Sequence, residues 1–199
     1  LQVLLEKLGL KGRLLTSQEL SMRFAPKLNA LSRMELGLRP IDLYLVESRT
    51  EAEVLVQEVL AQNERRSQLQ AEAEQMALED AGIKKQQGYV WSFGENYHQG
   101  VVGLVATKLA DKLRVPTFVG SLRKSESVIV GSVRCPKGSG FNVLQALEYC
   151  STALTHFGGH QQASGFELPA SQAEAFDQLL RTYFHSLNVQ LQPSLNKPL

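Results

Sequence analysis

One uninterrupted helical pattern, residues 49–81, constrains the fold of this 199-residue chain more than any other stretch. Thr50 and Glu53 form a capping box at its start, and Gly82 follows its last residue. At about 1.5 Å per residue these 33 positions extend about 50 Å, which is more than the width of a small domain. Apolar residues are concentrated near the two ends, whereas residues 62–68 contain none. A helix that is polar on every side in its middle is typical of a solvent-bridging connection. The sequence therefore predicts an interdomain helix, with a coiled coil, for which no heptad persists, as the second interpretation.

The residues before this helix form two shorter segments. Residues 1–10 have leucines on one face and a glycine near the end, which predicts the last turns of a helix. Because the chain begins without an initiator Met and with an apolar strip that needs a partner, we expect it to be part of a longer protein. In the second segment, residues 26–34, the polar side chains of Asn29, Ser32 and Arg33 are interleaved with apolar ones. Such an arginine holds either a backbone carbonyl or a phosphate, and the sequence does not decide between them.

Beyond the long helix, short strand patterns alternate with helical ones. β-Branched and aromatic residues mark four predicted strands, and helical periodicity with capping residues marks three predicted helices. The strands are residues 89–93, 117–122, 127–133 and 165–168, and the helices are residues 99–113, 143–156 and 171–187. This alternation predicts an α/β fold in which a mixed β-sheet is flanked by helices.

The run from His156 to Phe166 contains three glycines and two histidines, more than packing alone explains. Gly158 and Gly159 permit a positive φ and let another molecule approach the backbone closely, as a site for a phosphate or a base requires. A helix C-cap followed by a tight turn explains the same residues, because Gly is the usual residue just past a helix end. Spacing alone leaves these two interpretations equal. His156 and His160 have the i, i+4 spacing of a helical zinc pair, but the glycines between them would break the helix, so we predict no metal site here.

The composition is that of a globular protein without a membrane span. No apolar run approaches the roughly 20 residues that a spanning helix needs, and no signal peptide is visible, so we expect a cytoplasmic protein with no membrane partner. Cys135 and Cys150 are too few for a disulfide framework and are predicted to be reduced thiols. The formal net charge is +1, yet residues 83–160 carry nine basic and four acidic groups. A basic surface fits a polyanionic partner, although a solvated charged face explains the same count.

Three groups of polar residues occupy similar positions, since each lies at the end of a predicted element beside a glycine. They are His98 with Gly100 at a helix start, Ser132 with Arg134 at a strand end, and Gly159 with His160. A helix start presents free N–H groups to an anion, and arginine binds phosphate. If these ends converge, the two histidines, the serine and the arginine surround one phosphodiester. The alternatives are a histidine that only caps its helix and an arginine that is only solvated.

Several of these motifs resemble one protein family in order and spacing. The motifs are His98-Gln99-Gly100-Val101-Val102-Gly103, Gly131-Ser132-Val133-Arg134, Gly158-Gly159-His160 and Ala163-Ser164-Gly165-Phe166. They resemble the DHHA1 domain of the DHH phosphoesterases and, within that family, the RecJ-like single-strand-specific DNA exonucleases. Residues 26–34 are similar to the end of the catalytic DHH domain, and the long helix resembles the interdomain helix. The departures are Ser32, Tyr97, Cys135 and Ser164, where the family usually has Gly, Trp, Ser and Ala.

The resemblance implies a domain plan and an activity. Residues 1–47 correspond to the C-terminal end of a DHH catalytic domain, 48–82 to the interdomain helix, 83–187 to a DHHA1 substrate-binding domain and 188–199 to a linker or tail. The implied activity is that of a 5′-to-3′ exonuclease on single-stranded DNA in DNA repair and recombination, in which Mn²⁺ or Mg²⁺ held by the DHH domain activates water. No Asp-His-His occurs in the sequence. We therefore expect the metal ligands in a DHH catalytic domain of the same protein outside this sequence, and no exonuclease activity from this chain alone.

The resemblance also implies which residues contact DNA. It places His98, Gly100, Ser132, Arg134, Gly159 and His160 on the DNA side of the cleft, and Arg33 with Asn29 on the other wall, with no catalytic or metal-binding residue in the chain. Two other functions remain open. One is a phosphodiesterase of the same superfamily that acts on very short RNAs or cyclic dinucleotides, and the other is a catalytically inactive nucleic-acid-binding module whose glycines serve only the fold.

Overall fold

The computed structural model describes residues 1–12, 14–34, 40–84 and 87–191. The chain divides into two compact units, residues 1–69 and residues 70–199, and the longest helix contributes to both. The first unit contains α1 (Gln2–Lys7), α2 (Ser17–Glu19), a π-helical turn (Leu20–Phe24), α3 (Ala25–Arg33), α4 (Asp42–Leu45) and the first part of α5 (Arg49–Lys84). The second contains β1 (Val90–Gly94), α6 (Gln99–Leu113), β2 (Thr117–Arg123), β3 (Val128–Arg134), α7 (Val143–Tyr149), β4 (His156–His160), β5 (Ala163–Pro169) and α8 (Ala173–Leu191). Short 3-10 turns precede β4 and α8, at Ser151–Ala153 and Ala170–Gln172.

An apolar cluster holds the first unit together. Its buried side chains come from α1, α3, α4 and α5 and are Val3, Leu4, Leu31, Leu43, Ala52, Val56 and Val59. α3 turns Leu31 toward this cluster and leaves Asn29 and Arg33 exposed, because residues four apart share one face of a helix. Gly9 adopts a φ of 65°, so the predicted helix end at that glycine is confirmed.

α5 extends to Lys84, slightly beyond the predicted end, and its cap differs from the predicted one. Ser48 caps the helix, since its Oγ accepts a hydrogen bond from the backbone N–H of Glu51 at 3.4 Å. Thr50 lies inside the helix, so the predicted capping box of Thr50 and Glu53 is wrong. Glu53 instead accepts a hydrogen bond from Nε of Arg49 at 3.0 Å.

The polar middle of α5 is packed on one side, which corrects the prediction that every side of it is solvated. Arg66 is half-buried, and its Nη1 donates to the backbone carbonyl of Pro26 in α3 at 3.3 Å. Its Nη2 donates to Oδ1 of Asn63 at 3.2 Å. This face is polar because it meets a helix backbone rather than an apolar core, and the neighbouring Arg65 remains exposed.

The second unit is built on a mixed sheet of five strands, counted over the described residues, in the order β1-β2-β3-β5-β4. β1 and β2 are parallel and are joined through α6, whereas the other neighbouring strands are antiparallel. The register places Ser132, Gly165 and Gly158 side by side across β3, β5 and β4. It aligns Arg134 with Ala163 and His160 in the same way.

The two faces of this sheet are covered differently. One face packs against α7 and α8 around a core of large aromatic and aliphatic side chains. These include Trp91, Phe118, Ile129, Val133, Phe166, Phe176 and Phe184. Because side chains alternate along a strand, Ser132 and Arg134 lie on the opposite face from Val133. On that opposite face α6 packs over β2 and β3, whereas β4 and β5 keep exposed residues such as Gly158, His160 and Gly165.

The C-terminal third differs from prediction in two places. The predicted helix 143–156 ends at Tyr149, and β4 begins at His156. Asn142 caps α7, because its Oδ1 accepts hydrogen bonds from two backbone N–H groups of that helix. Backbone pairing with β5 overrides the weak helical preference of the glycine-rich run. The last helix continues to Leu191, four residues into the predicted tail, and residues 192–199 lie outside the described part of the chain.

The other predicted strands and α6 are confirmed to within two residues at each end. The mixed sheet flanked by helices confirms the predicted α/β fold class. Among the described residues, none of the helices combines the length and hydropathy needed to span a membrane.

Candidate nucleic-acid interface

A strip of small residues lies on the sheet face beside α6. It consists of Ser132, Gly165 and Gly158, one residue from each of three adjacent strands, and we name it the glycine floor. Gly158 and Gly165 are exposed, and a Cβ added at Gly158 would meet no heavy atom within 4 Å. A ligand can therefore approach the backbone of these strands without meeting a side chain.

Two predicted contact residues border the glycine floor. Arg134 and His160 both pair with Ala163, so they lie in one row next to the floor and on the same face. Neighbouring strands are about 4.8 Å apart, which separates the backbones of Arg134 and His160 by about 10 Å. The structure thus brings together Ser132, Arg134 and His160, three of the side chains that the sequence singled out.

The guanidinium of Arg134 is oriented by backbone carbonyls and by α6. Its Nη1 donates to the carbonyl of Val133 at 2.8 Å and to that of Ser164 at 3.4 Å. A Cβ added at Gly103 of α6 would come within 3.1 Å of Nη2 of Arg134 and 3.3 Å of Oγ of Ser132. The absence of a side chain at Gly103 therefore leaves room for Arg134 between α6 and the sheet. Gly103 was not predicted to have a role of its own, although a glycine inside a helix is itself a sign of close packing.

Backbone geometry explains why position 159 is a glycine. Its φ is 144°, and a Cβ there would lie 2.6 Å from the carbonyl oxygen of Ala163 and 2.7 Å from Cα of Ser164. Glycine is required at this position by the turn between β4 and β5, in which Oγ of Ser164 donates to the carbonyl of His160 at 2.9 Å. The interpretation of the two glycines as a helix C-cap is wrong, because both lie in β4.

His98 caps α6 and lies apart from the row of Arg134. Its Nδ1 accepts a hydrogen bond from the backbone N–H of Gly100 at 3.0 Å, so the neutral ring carries its proton on Nε2. His98 follows the C-terminal end of β1, whereas Arg134 lies level with the first residue of β1, about 13 Å away along the strands. Gly103, five residues further along the same helix, nevertheless lies beside the Arg134 guanidinium, so the convergence of His98 and Gly100 on the same phosphodiester stays a prediction.

Tyr97, which precedes His98, packs inward. Only 3% of its surface is exposed, and its hydroxyl lies 2.8 Å from Oγ of Ser92. Oγ of Ser92 in turn lies 2.6 Å from Oδ2 of Asp80 in α5. Burial raises the pKa of the Tyr97 hydroxyl above its usual value of 10.0. Tyr97 therefore fixes the loop that carries His98 and does not offer its ring to a base.

The first unit carries the other two predicted contacts. Asn29 and Arg33 are exposed one helical turn apart on α3. Burial lowers the pKa of the Arg66 guanidinium, and the nearby positive charge of Arg33 adds to this effect. The guanidinium groups of Arg33 on α3 and Arg66 on α5 therefore lie near enough for their charges to interact.

Ion pairs reduce the positive surplus of the second unit. Among the residues that the structure describes, four of the nine basic residues in the segment 83–160 pair with carboxylates. The pairs are Lys108 with Glu74, Arg123 with Glu126, Lys124 with Glu95, and Lys137 with Asp111. The basic count read from the sequence therefore overstates the charge available to a polyanion.

A metal centre is not formed by the residues that the structure describes. They contain no group of three or more His, Cys, Asp and Glu side chains that could hold a metal ion. His156 and His160 lie at opposite ends of β4, both exposed. The described residues therefore do not fit Mn²⁺ or Mg²⁺.

Residues 86–186 match the DHHA1 domain family, which is just over half of the chain. The chain belongs to the DHHA1 domain family. This confirms the resemblance drawn from the glycine and histidine motifs. The chain is 32% identical over 157 residues to the single-stranded-DNA-specific exonuclease RecJ of Bacillus subtilis, a match that covers 77% of this chain and 19% of that protein.

Solved RecJ structures have the same fold. The RecJ of Thermus thermophilus in complex with Mg²⁺ superposes with a TM-score of 0.79 at 26% identity, covering 92% of this chain and 28% of that one. The same enzyme in complex with Mn²⁺ gives a TM-score of 0.78, so this relative binds divalent metal ions. This chain spans less than a third of the length of these relatives.

Proposed function

We propose that this chain is the substrate-binding part of a RecJ-like exonuclease that degrades single-stranded DNA. In this proposal residues 83–187 form the DHHA1 domain, 48–82 the connecting helix, 1–47 the C-terminal end of a DHH catalytic domain and 188–199 a linker or tail. The observation that carries it is the open glycine floor with Arg134 and His160 along one side. A nucleic-acid backbone needs this combination of close approach and hydrogen-bond donors.

Each proposed contact has a role that follows from its surroundings. Arg134 is oriented by two carbonyls, so its guanidinium offers a preset partner to a phosphate, and His160 binds from the opposite side of the row. Ser132 adds a hydroxyl on the floor, and the turn that requires Gly159 fixes the direction of His160.

Further contacts lie outside this row. Nε2–H of His98 and the start of α6 with Gly100 form a second anion contact in the same unit. Arg33 and Asn29 on α3 contact phosphate from the first unit. The similarity to RecJ along 92% of this chain supports assigning substrate contacts to both units.

For the whole protein we propose 5′-to-3′ hydrolysis of phosphodiesters in DNA repair and recombination, in the cytoplasm. Mn²⁺ or Mg²⁺ would be held by a DHH domain, where it generates the nucleophile. This chain binds and orients the strand and by itself hydrolyses nothing. The RecJ names of its relatives support this function over a phosphodiesterase for short RNAs or cyclic dinucleotides and over a catalytically inactive module.

Binding is tested by fluorescence anisotropy of the 199-residue chain with a labelled single-stranded oligonucleotide. We expect the double variant Arg134→Ala, His160→Ala to lose about tenfold or more in affinity, because charge-assisted contacts to phosphate are removed. The matched control is Arg181→Ala, His185→Ala, which removes the same residue types from an exposed part of α8 on the other face of the sheet. Equal affinities for the double variant and the unaltered chain would refute the proposal.

A second test separates binding from catalysis. The purified chain incubated with Mn²⁺ and end-labelled single-stranded DNA should release no nucleotides. Release that persists through further purification would show that the catalytic groups lie within these residues.

A further inference from the structure

A depression of about 320 Å³ lies on the glycine-floor face, at the far end from Arg134. It is lined by Val130, Gly131, His156, Phe157, Gly158, Gly165, Phe166 and Glu167. Glu167 is level with His156 and Val130 in the register, whereas Arg134 lies four residues further along β3 than Val130. Four residues of a strand measure about 13 Å, so one phosphate cannot contact both ends.

Glu167 gives this depression a chemistry different from that of the Arg134 row. Its Oε1 accepts a hydrogen bond from Oγ1 of Thr155 at 3.1 Å. Within the described part of the chain, Oε2 has no hydrogen-bond partner and Glu167 forms no ion pair. An ionised carboxylate repels phosphate and only accepts hydrogen bonds, so the group that fits here is a neutral N–H donor.

The rest of the lining suits a flat ring. Gly158 and Gly165 leave the floor open, since a Cβ added at Gly165 would come no closer than 3.8 Å to another atom and one at Gly158 would meet nothing within 4 Å. Val130 supplies an apolar edge on the side toward α6, and His156 is exposed on the outer strand. A nucleobase has these two properties, a flat apolar face and polar edges.

We propose that the depression is a nucleobase subsite in which Glu167 accepts a hydrogen bond from an exocyclic amino group while phosphates of the same strand bind at Arg134 and His160. Adenine and cytosine present such amino groups. Thymine presents one ring N–H flanked by two carbonyl oxygens, which repel a carboxylate. The subsite rests on the proposed binding of single-stranded DNA and adds a base preference to it.

The experiment compares oligo(dC) with oligo(dT) of equal length by fluorescence anisotropy on the 199-residue chain. We expect the unaltered chain to bind oligo(dC) about three- to tenfold more tightly, the effect of one partly exposed charge-assisted hydrogen bond. Glu167→Gln should bring the two affinities together, mainly by raising affinity for oligo(dT), because the repulsion of its carbonyl oxygens disappears. Glu148→Gln is the matched control, since Glu148 is exposed on α7 at the opposite face and its removal changes the net charge equally.

The possible results distinguish this subsite from the proposed function. Equal affinity of the unaltered chain for both oligonucleotides, or a dC preference that survives in Glu167→Gln, overturns the subsite and leaves DNA binding intact. Loss of the preference in Glu148→Gln as well attributes it to net charge and also overturns the subsite. Failure of the unaltered chain to bind either oligonucleotide overturns the proposed function and the subsite together.

Discussion

Glycine occupies three positions in or beside the glycine floor for different physical reasons, and this difference can be tested. Gly159 has a φ of 144°, which residues with a side chain rarely adopt, and a Cβ there would collide with the backbone of β5. Gly158 and Gly165 both have room for a Cβ. We expect Gly159→Ala to lower the free energy of unfolding by about 1–3 kcal/mol, the cost of a strained backbone position. Gly158→Ala should change stability by less than about 0.5 kcal/mol, as surface substitutions do.

The same variants separate stability from binding. Gly158→Ala places a methyl group on the open floor, so its affinity for single-stranded DNA should fall although its stability does not. Urea denaturation and anisotropy on the same preparations provide the comparison. A Gly158→Ala protein with unaltered DNA affinity would show that the strand does not approach the floor.

The two cysteines differ in reactivity for a physical reason that the sequence does not contain. Burial raises the pKa of the Cys150 thiol to about 12, while Cys135 is only half-buried. Because the thiolate is the reacting species, we expect a disulfide reagent at about pH 8 to modify Cys135 promptly and Cys150 only after unfolding. Mass spectrometry of tryptic peptides identifies the modified residue, and Cys135→Ser provides the control. Prompt labelling of Cys150 in the folded chain would contradict its burial.

Some glycines could not have been interpreted before the register was known. A Cβ at Gly131 would lie 2.2 Å from the ring of Phe166, its partner across β3 and β5. The sequence shows both residues but not that they pair. Gly131 therefore looked like a glycine of the binding site, whereas the structure shows that packing against Phe166 requires it. Gly103 was missed for the same reason, because its neighbours Ser132 and Arg134 come from another element.

At the scale of elements, burial decides which strands a sequence can predict. β3 and β5 alternate between buried and less buried residues, and both were predicted. β4 has five exposed residues and therefore no hydrophobic alternation, so its sequence carries no strand signal. Its existence depends on backbone pairing with β5, which is a tertiary property.

The polar middle of α5 provides a prediction about packing without apolar contact. Arg66 joins α5 to the backbone of α3 through Pro26, while Arg65 is exposed. We expect Arg66→Ala to destabilise the first unit by about 1–2 kcal/mol, because a half-buried hydrogen bond and the packing of the long side chain are lost. Arg65→Ala should stay within about 0.5 kcal/mol of the unaltered chain. Urea denaturation followed by circular dichroism measures both, and equal effects of the two substitutions would contradict the contact.

The link between α1 and α5 gives the first unit a defined acid dependence. A hydrogen bond from Arg49 to Glu6, 2.8 Å between Nη2 and Oε2, and a second from Lys11 lower the pKa of Glu6 from 4.5 to about 2. Because the folded-state pKa is the lower one, this stabilisation is complete above about pH 4.5 and is lost as the pH falls toward 2. Thermal melting at about pH 7, 4 and 2 should show Glu6→Gln less stable at neutral pH and equal to the unaltered chain at the lowest pH. A constant difference across this range would contradict the prediction.

At the scale of the whole molecule, the α/β class could be predicted because its signals are local. Helix caps, β-branched runs and the long polar helix are each read from neighbouring residues, and they sufficed for the mixed sheet. The strand order could not be predicted, since it depends on which strands pair. For the same reason the sequence did not show that the backbone of Arg134 is level with the first residue of β1, whereas His98 follows the last residue of that strand.

The charge of the whole molecule predicts how DNA binding depends on salt. In the described part of the second unit five basic residues are paired with carboxylates, and Arg134 and, in the first unit, Arg33 are the proposed cationic contacts. Each phosphate neutralised on a single strand contributes about −0.7 to the slope of log K against log salt concentration, so two contacts give about −1.4. Arg134→Ala should reduce the slope by about 0.7, whereas Arg181→Ala, on the other face, should leave it unchanged. Anisotropy titrations between about 50 and 300 mM NaCl measure these slopes, and a slope steeper than about −4 would mean that the paired lysines exchange their carboxylates for phosphates.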